Sequence, residues 1–401
     1  MKQAGKKALV MGGGLWQIPL IRFLKDKGLF VAATDLNPKC PAAEIVDEFI
    51  NVSGRDADAV LAKYKKGDFD YVTTDQSDLT IEAAAKVSEA WGLAGNSPIA
   101  VQNFTDKAKC RELAAKFDVP QPVFRAATTA AEVREFVSSR PGRCIVKPAD
   151  SMSSRGVTVV DAKSNFEEAT ATALAPSYRK KVIVEDFMKG KEITVEGICS
   201  GGKHRVLAIS MKDHFRTALA NRLHYPAHLP SDLEERITSA IDRFVENSGL
   251  RFGITHAEVM VDLDAHEFGL VEIACRGGGT MISSHITPWV SGVDLYEILY
   301  SELNGKSTDV KALSLKRRGA LLGFFEFPSG KVKKITGLEA ARAIPGVQRV
   351  ELEFGVGDEI KSAADDRGRQ GFGIVFGNDA READELWSKV KQAIKIEVQN
   401  G

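Results

Sequence analysis

Short apolar runs alternate with amphipathic stretches from the start of this chain. Residues 8–11 (ALVM) are consecutively apolar, and Gly12-Gly13-Gly14 follows them. Then Ile18, Leu20, Ile21 and Leu24 recur at helical spacing up to Gly28. An apolar run followed by a period near 3.6 predicts strand, turn and helix. LFVAATD (29–35) predicts a second strand ending at Asp35, YVTTD (71–75) another buried strand, and residues 79–93 a helix. Strands separated by helices of this length imply a parallel, doubly wound sheet. This first unit closes near residue 105.

The pattern then changes. A charged helix (DKAKCRELAAKF) precedes VPQP, and CIVKP (144–148) is a strand stopped by proline. The loop SMSSRG (151–156) leads into VTVV (157–160), so the two strands read as a hairpin around a small polar loop. VIVEDF (182–187) is a further strand. From residue 191 strands dominate (EITVEGI, RVLAIS, THAEVMVDLD, FGLVEIACR), with one long helix over 232–248. The tail from about 306 holds more strands and a final helix over 380–394.

Composition narrows the class. Of 401 residues 44% are hydrophobic and 27% charged, which is globular, and the length calls for two or three lobes. Lys plus Arg balance Asp plus Glu at 54 each, so no basic excess points to nucleic acid. The five cysteines are scattered, without a CxxC or CxxxH cluster, which suits a reducing compartment. The N-terminus is too poor in apolar residues for a signal peptide, and no 18-residue apolar run exists. A cytoplasmic protein with no membrane or nucleic-acid partner is expected.

Three stretches carry candidate chemistry. In HAEVMVDLD, period two places His256, Glu258, Met260 and Asp262 on one face; in LVEIACR it groups Leu270, Glu272, Ala274 and Arg276. A hairpin turning at DAHE (264–267) sets Glu258 opposite Glu272, since the two are equidistant from the turn. Facing carboxylates repel, and a shared cation resolves that; Mg²⁺ beside nucleotide phosphates is usually held by one or two carboxylates. The alternative is a solvated polar face one register step away. Arg276, on the same face, is placed to meet an oxyanion or phosphate.

The second stretch is Lys147 at the end of a buried strand, followed by Ser151, Ser153, Ser154 and Gly156, whose hydroxyls and amides can donate to phosphate. By itself this loop is an ordinary turn, and Lys107 alone says nothing. In the third, Glu185-Asp186-Phe187-Met188 runs into a turn at Gly190 and then Glu192. A hinge with free backbone groups beside apolar walls suits a purine, and a carboxylate beyond it suits ribose hydroxyls. The early GGG with Asp35 is spaced like a dinucleotide-binding fingerprint, but the last glycine of that motif is replaced by Gln17.

Taken in order, Lys107, VKP (146–148), SMSSRGV, EDFMKGKEITVE, THAEVMVD and VEIACRGGG resemble the ATP-grasp superfamily over essentially the whole chain. Within it the HAE strand, the VEIACR strand and residues 345–377 look most like the L-amino-acid ligases, or dipeptide synthetases. Biotin carboxylase and glycinamide ribonucleotide synthetase are more distant relatives. The resemblance implies an α/β (α+β) chain in four parts. These are a Rossmann-like domain (1–105), the small (106–190) and large (191–305) ATP-grasp lobes, and a small β-rich C-terminal domain (306–401).

The same resemblance assigns roles. Lys107 and Lys147 would contact ATP phosphates under a loop from Ser151 to Val157. Glu185, Asp186, Phe187 and Met188 would line the adenine site, and Glu192 would hold the ribose. Glu258 and Glu272 would bind Mg²⁺, with Mn²⁺ as a substitute. Arg276 and Lys147 would be catalytic, Arg276 stabilising an acyl phosphate and the tetrahedral intermediate. Gly277, Gly278, Gly279, His285 and His256 would face the small-molecule carboxylate and amine substrates. A homodimer is the default assembly. Ala274 departs from the Asn that many members carry there, which leaves a second metal site in doubt. A biotin-carboxylase-like enzyme and a non-catalytic ATP-binding protein are the competing readings.

Overall fold

The computed structural model describes residues 5–151, 155–216, 219–363 and 366–399. Four parallel strands, β1 (Lys7–Met11), β2 (Phe30–Thr34), β3 (Glu48–Ile50) and β4 (Tyr71–Thr73), form a sheet in the order β3-β2-β1-β4. The helix Ile18–Asp26 buries Ile18, Leu20, Ile21 and Leu24, the four positions picked out by the apolar period. The helix Asp78–Trp91 stops at Gly92, whose φ of 66° a side chain would resist. Residues 74–78 therefore leave the carboxyl ends of the strands, where open parallel sheets present their sites.

The second sheet holds β5 (Phe124–Ala127), β6 (Cys144–Pro148), β7 (Thr158–Val160) and β8 (Val182–Asp186), antiparallel in the order β5-β8-β6-β7. Its apolar face packs Val146 and Val184 against Val133 and Phe136 of one helix and Phe166 of another. The charged helix Lys107–Lys116 starts at Asp106, whose carboxylate accepts from the amides of Ala108 and Lys109.

The largest sheet begins with β9 (Lys191–Ser200), β10 (Lys203–Arg216), β11 (Leu219–Tyr225), β12 (Gly253–Asp262) and β13 (Glu267–Ala274). The helix Ser231–Glu246 lays Leu233, Ile237, Ile241 and Phe244 on the apolar side, where Val195, Ala257, Val259 and Val261 meet them. The tail contributes β14 (Gly319–Phe324), β15 (Gly330–Thr336), β16 (Val347–Leu352), β17 (Glu359–Ile360), β18 (Gly371–Gly377) and β19 (Lys395–Gln399). Three of these join the large sheet, which runs β13-β12-β9-β10-β11-β14-β18-β16, while β17-β15-β19 form a small sheet of their own. All five cysteines are free and buried. Among the described residues no helix is long and apolar enough to cross a membrane.

Candidate active site

The β12–β13 hairpin sets Glu258 directly opposite Glu272, as the turn position requires. Beyond that pair the register shifts, and Val271 becomes an extra residue in β13. The bulge is held from outside: the Val271 carbonyl accepts from Arg111 Nη2 at 2.8 Å, and the Leu270 amide donates to the Pro120 carbonyl at 2.7 Å. One extra residue reverses the alternation. Leu270, expected on the Glu272 face, instead lies in the core with Ile273 and Cys275.

Each carboxylate of the pair meets an ammonium. Lys107 Nζ is 3.1 Å from Glu272 and donates to the Ser151 carbonyl at 2.9 Å. Lys212 Nζ donates to Glu258 at 2.8 Å and also to Glu192. Burial works against the charge on Lys107, but the Glu272 carboxylate outweighs it and raises the pKa; burial of Glu272 is offset by Lys107, and its pKa falls. Burial would also raise Glu192, yet Lys212 and His214, whose Nε2 lies 3.2 Å away, bring it down to about 2. Glu258 and Glu272 thus face a common cavity, with Lys212 against one and Lys107 against the other. Among the described residues no three His, Cys, Asp or Glu are grouped to hold a metal. A pair of this kind fits an ion whose remaining ligands are phosphates and water.

Lys147, 6% exposed, is 2.7 Å from Glu185, which is 2% exposed and accepts from Arg111 Nε at 2.6 Å. Burial holds Lys147 below the ordinary lysine value despite that partner. The Glu185 carboxylate was expected to line a base. It is committed instead to Lys147 and Arg111, and that of Asp186 to Arg140 at 2.6 and 2.7 Å. The backbone here is engaged too, the Asp186 and Phe187 amides donating to the Val123 and Arg143 carbonyls at 2.9 and 3.0 Å. Met188 already packs on the large lobe, since a Cβ at Gly269 would stand 2.5 Å from its sulfur. Ser151 is buried, and Gly156 sits at φ 78° under Pro148 and Pro176; Val157 follows, half-buried. Ser153 and Ser154 lie outside the described residues.

Arg276 is gripped by Asp78, Nε to Oδ1 at 2.8 Å and Nη2 to Oδ2 at 2.7 Å. Asp75, 1% exposed, accepts from the Gly277 amide at 2.8 Å, Ser283 Oγ at 2.7 Å and Tyr296 OH at 2.8 Å. The Gly277 amide, expected to approach a substrate, is therefore already engaged. A Cβ at Gly278 would stand 2.9 Å from His256 Nδ1, whereas one at Gly279 would meet nothing within 4 Å. His256 bonds Glu196 at 2.9 Å; burial lowers its pKa, but Glu196 prevails and raises it. Thr194 Oγ1 donates to the same carboxylate at 2.8 Å. His285 does not join the group. Residues 282–286 form a π-turn that buries Ile282, Ser283 and Ile286, which turns His285 outward beside Ser284, exposed.

A cavity of about 510 Å³ is lined by His256, Glu258, Glu272, Arg276 and Gly279 on one side. Trp16 and Gln76 of the N-terminal domain and Phe324, Arg369 and Phe372 of the tail close the other. Asp75, Asp78, Arg111, Glu196, Lys212 and Arg369 had no motif to single them out. All but Arg369, whose ion-pair partner Asp366 is three residues away, act through a partner distant in sequence; the one local hint was a pair of acids beside Gln76, just past a strand end. The N-terminal glycines are spent internally: Gly13 donates to Asp35 at 3.2 Å, and buried Gln17 donates to the Asp75 carbonyl at 2.8 Å.

Residues 141–284 match the ATP-grasp domain model, and residues 323–399 match L-amino acid ligase C-terminal domain 2. The chain is 27% identical over 325 residues to alanine–anticapsin ligase of Bacillus subtilis, covering 72% of this chain and 66% of that protein. It is also 27% identical to the formate-dependent phosphoribosylglycinamide formyltransferase of Sulfolobus acidocaldarius, covering 98% of both. The crystal structure of L-amino acid ligase from Bacillus licheniformis superposes with a TM-score of 0.79 at 21% identity, covering 99% of this chain and all of the other, a likeness of fold.

Proposed function

The chain belongs to the ATP-grasp superfamily, and from that premise we propose that it is a carboxylate–amine ligase that activates an amino acid or similar small acid with ATP. One observation carries the proposal: a facing carboxylate pair, Lys212 and a clamped arginine line one cavity, and Lys107 bonds the pair at Glu272. Glu258 and Glu272 would hold Mg²⁺, or Mn²⁺ in its place, which when bound neutralises triphosphate charge. Ala274 pairs with His256 across the hairpin and offers no ligand, so one ion is expected from this pair.

An oxygen of the substrate carboxylate attacks the γ-phosphorus of ATP, and the bond from that phosphorus to the bridging oxygen of ADP breaks. The products are an acyl phosphate and ADP. Lys107 and Lys147, with the loop running from Ser151 through Ser153, Ser154 and Gly156 to Val157, position the transferring group; positioning and charge account for most of the catalysis in such transfers. The strand end at Glu185 and Asp186, with Phe187 and Met188 beyond it, would receive adenine, and Glu192 the ribose. The amine nitrogen then bonds to the acyl carbon, the carbon–oxygen bond to phosphate breaks, and the nitrogen gives up its proton. Arg276, fixed by Asp78, stabilises the oxyanion of that step. Gly278 and Gly279 leave room beside it, with His256 behind.

Pooled acids and amines screened for ADP release, with hydroxylamine to trap activated acyl groups, test this. The expected result is hydroxamate that requires ATP and Mg²⁺ and is lost in Glu272→Ala. Full turnover in that variant, or ATP bound without phosphate release in any mixture, would sink it. Incorporation of labelled bicarbonate would instead favour a carboxylase.

A further inference from the structure

The helix Asp78–Trp91 carries two acids one turn apart, and the steps proposed above use only the first. Asp78 grips Arg276. Glu82 reaches the small lobe instead: its Oε1 accepts from Arg179 Nη2 and, at 3.3 Å, from the Tyr178 hydroxyl. Thr105 Oγ1 donates to the same oxygen. The Glu82 and Arg179 side chains are 23% and 22% exposed, too withdrawn to be discounted as a solvated surface pair. Burial works against the charge on Arg179, but Glu82 outweighs it and raises the pKa. Arg55, also from the N-terminal domain, sets its guanidinium carbon 5.0 Å from the centre of the Tyr178 ring.

Residues 176–181 in turn hold both ends of the phosphate loop. At its start the Arg179 amide donates to Asp150 Oδ2 at 2.7 Å, and the Ala149 amide to the Lys181 carbonyl at 3.0 Å. At its far end a Cβ on Gly156 would stand 2.9 Å from the Pro176 ring, and Arg155 Nη2 donates to the Pro176 carbonyl at 3.4 Å. The segment between is constrained. Lys180 sits at φ 52°, a left-handed conformation that lysine keeps only where its surroundings impose it. The Lys181 amide is tied to Ser177 Oγ at 3.2 Å. Any displacement of Tyr178 and Arg179 is therefore passed to the residues that begin and end the loop. Packing alone does not fix them: a cavity of about 230 Å³ lies alongside, lined by Arg55, Asp78, Glu82, Asp150 and Tyr178. Two buried atoms of the joint, Asp150 Oδ1 and Arg179 Nε, have no hydrogen-bond partner among the described residues.

We infer that Glu82 is a positioning residue for the phosphate loop: through Arg179 it sets where Ser151 and Gly156, the two ends of that loop, stand against the triphosphate. Asp78 lies one turn away on the same helix, so the loop and Arg276 are both referred to one element. The group that grips the phosphates and the group that stabilises the oxyanion thereby keep a fixed separation, which a two-step reaction at one centre requires. The inference rests on the ligase reading above, in which this loop meets ATP.

Nucleotide binding to the full chain with Mg²⁺, followed by titration calorimetry, tests this without turnover. The probes are AMP-PNP, a non-hydrolysable triphosphate, and AMP, titrated in competition with it, which shares base and ribose but lacks the outer phosphates. Glu82→Gln keeps the length and removes the charge. It should weaken AMP-PNP about tenfold and leave AMP within about twofold, because a misplaced loop costs binding only where it touches. Arg179→Met should do the same, and Arg179→Lys should retain part of the affinity. Glu82→Gln combined with Arg179→Met should be no weaker than either alone, as for one coupled pair. An equal loss for both nucleotides would mark a merely structural role and overturn the inference. Unchanged AMP-PNP binding, or additive losses in the double variant, would overturn it too. Should Glu82→Gln fail to fold, the two Arg179 variants decide by the same comparison. A wild type that binds no AMP-PNP would defeat the ATP-dependent reading itself, and the inference with it.

Discussion

Asp78 and Arg276 form a two-point ion pair across the boundary between the N-terminal domain and the large sheet, both of its bonds below 2.9 Å. The arginine is buried enough that its orientation depends on this partner, and a paired fork fixes the plane of the guanidinium. Asp78→Asn keeps the size and gives up the charge. We expect kcat to fall about ten- to a hundredfold, with KM for ATP within about twofold, as for an interaction made in the transition state. Steady-state ADP release decides it; a change confined to KM would count against the positioning role.

The carboxylate pair predicts a metal dependence. With Lys107 bonded to Glu272 and Lys212 to Glu258, the ion must compete with an ammonium at each ligand. Glu272→Gln should raise the half-saturating Mg²⁺ concentration at least about tenfold and reduce turnover about a hundredfold or more. A Mg²⁺ titration at fixed ATP measures both, and an unaltered titration would remove Glu272 from the site.

Two glycines of the same run, Gly277 and Gly279, should behave differently. A Cβ at Gly277 would stand 2.2 Å from Ser283 Oγ and 2.8 Å from Asp75 Oδ1, inside a buried hydrogen-bond cluster. Gly277→Ala should therefore cost about 1–3 kcal/mol. At Gly279 nothing lies within 4 Å, and Gly279→Ala should stay within about 0.5 kcal/mol of wild type. Urea unfolding of the two variants, side by side, checks the pair.

How much of this was legible is a matter of range. The opposition of Glu258 and Glu272 depends only on equal distance from one turn, which local pattern supplies. The position of Leu270 does not, because the extra residue at Val271 is stabilised by Arg111 and Pro120, more than a hundred residues earlier. Glu185 could be placed on a strand end, yet its choice of partners depends on packing between a helix and two strands. His285 was misplaced because a π-turn advances the chain by more than a helical turn per hydrogen bond, which no residue type announces. The parallel N-terminal sheet was plain from its alternation, and strands were expected in the tail, whereas β11 lacked a long apolar run and the joining of three tail strands to the large sheet rests on long-range pairing.

Glu185 gives a prediction in pH. Burial would raise its pKa, but Lys147 and Arg111 bring it from the ordinary 4.5 to about 2. A carboxylate depressed on folding stabilises fully above its unfolded value. That contribution, on the order of 3 kcal/mol, is lost as pH falls from about 4.5 towards 2. Glu185→Gln should be weaker at pH 7, with two cations left unpaired, and should show a shallower decline across that acid window. Urea midpoints at pH 7 and pH 3 for both proteins provide the comparison; parallel declines would refute it.

The pairing of β11 with β14 carries a consequence for how this chain can be cut or recombined. A fragment ending before residue 319 would leave β11 as a bare edge, with its row of amides and carbonyls open to any passing strand. Such a fragment should self-associate. Grafting another protein's tail onto this catalytic half would require matching not a linker but a seam of backbone hydrogen bonds, register included.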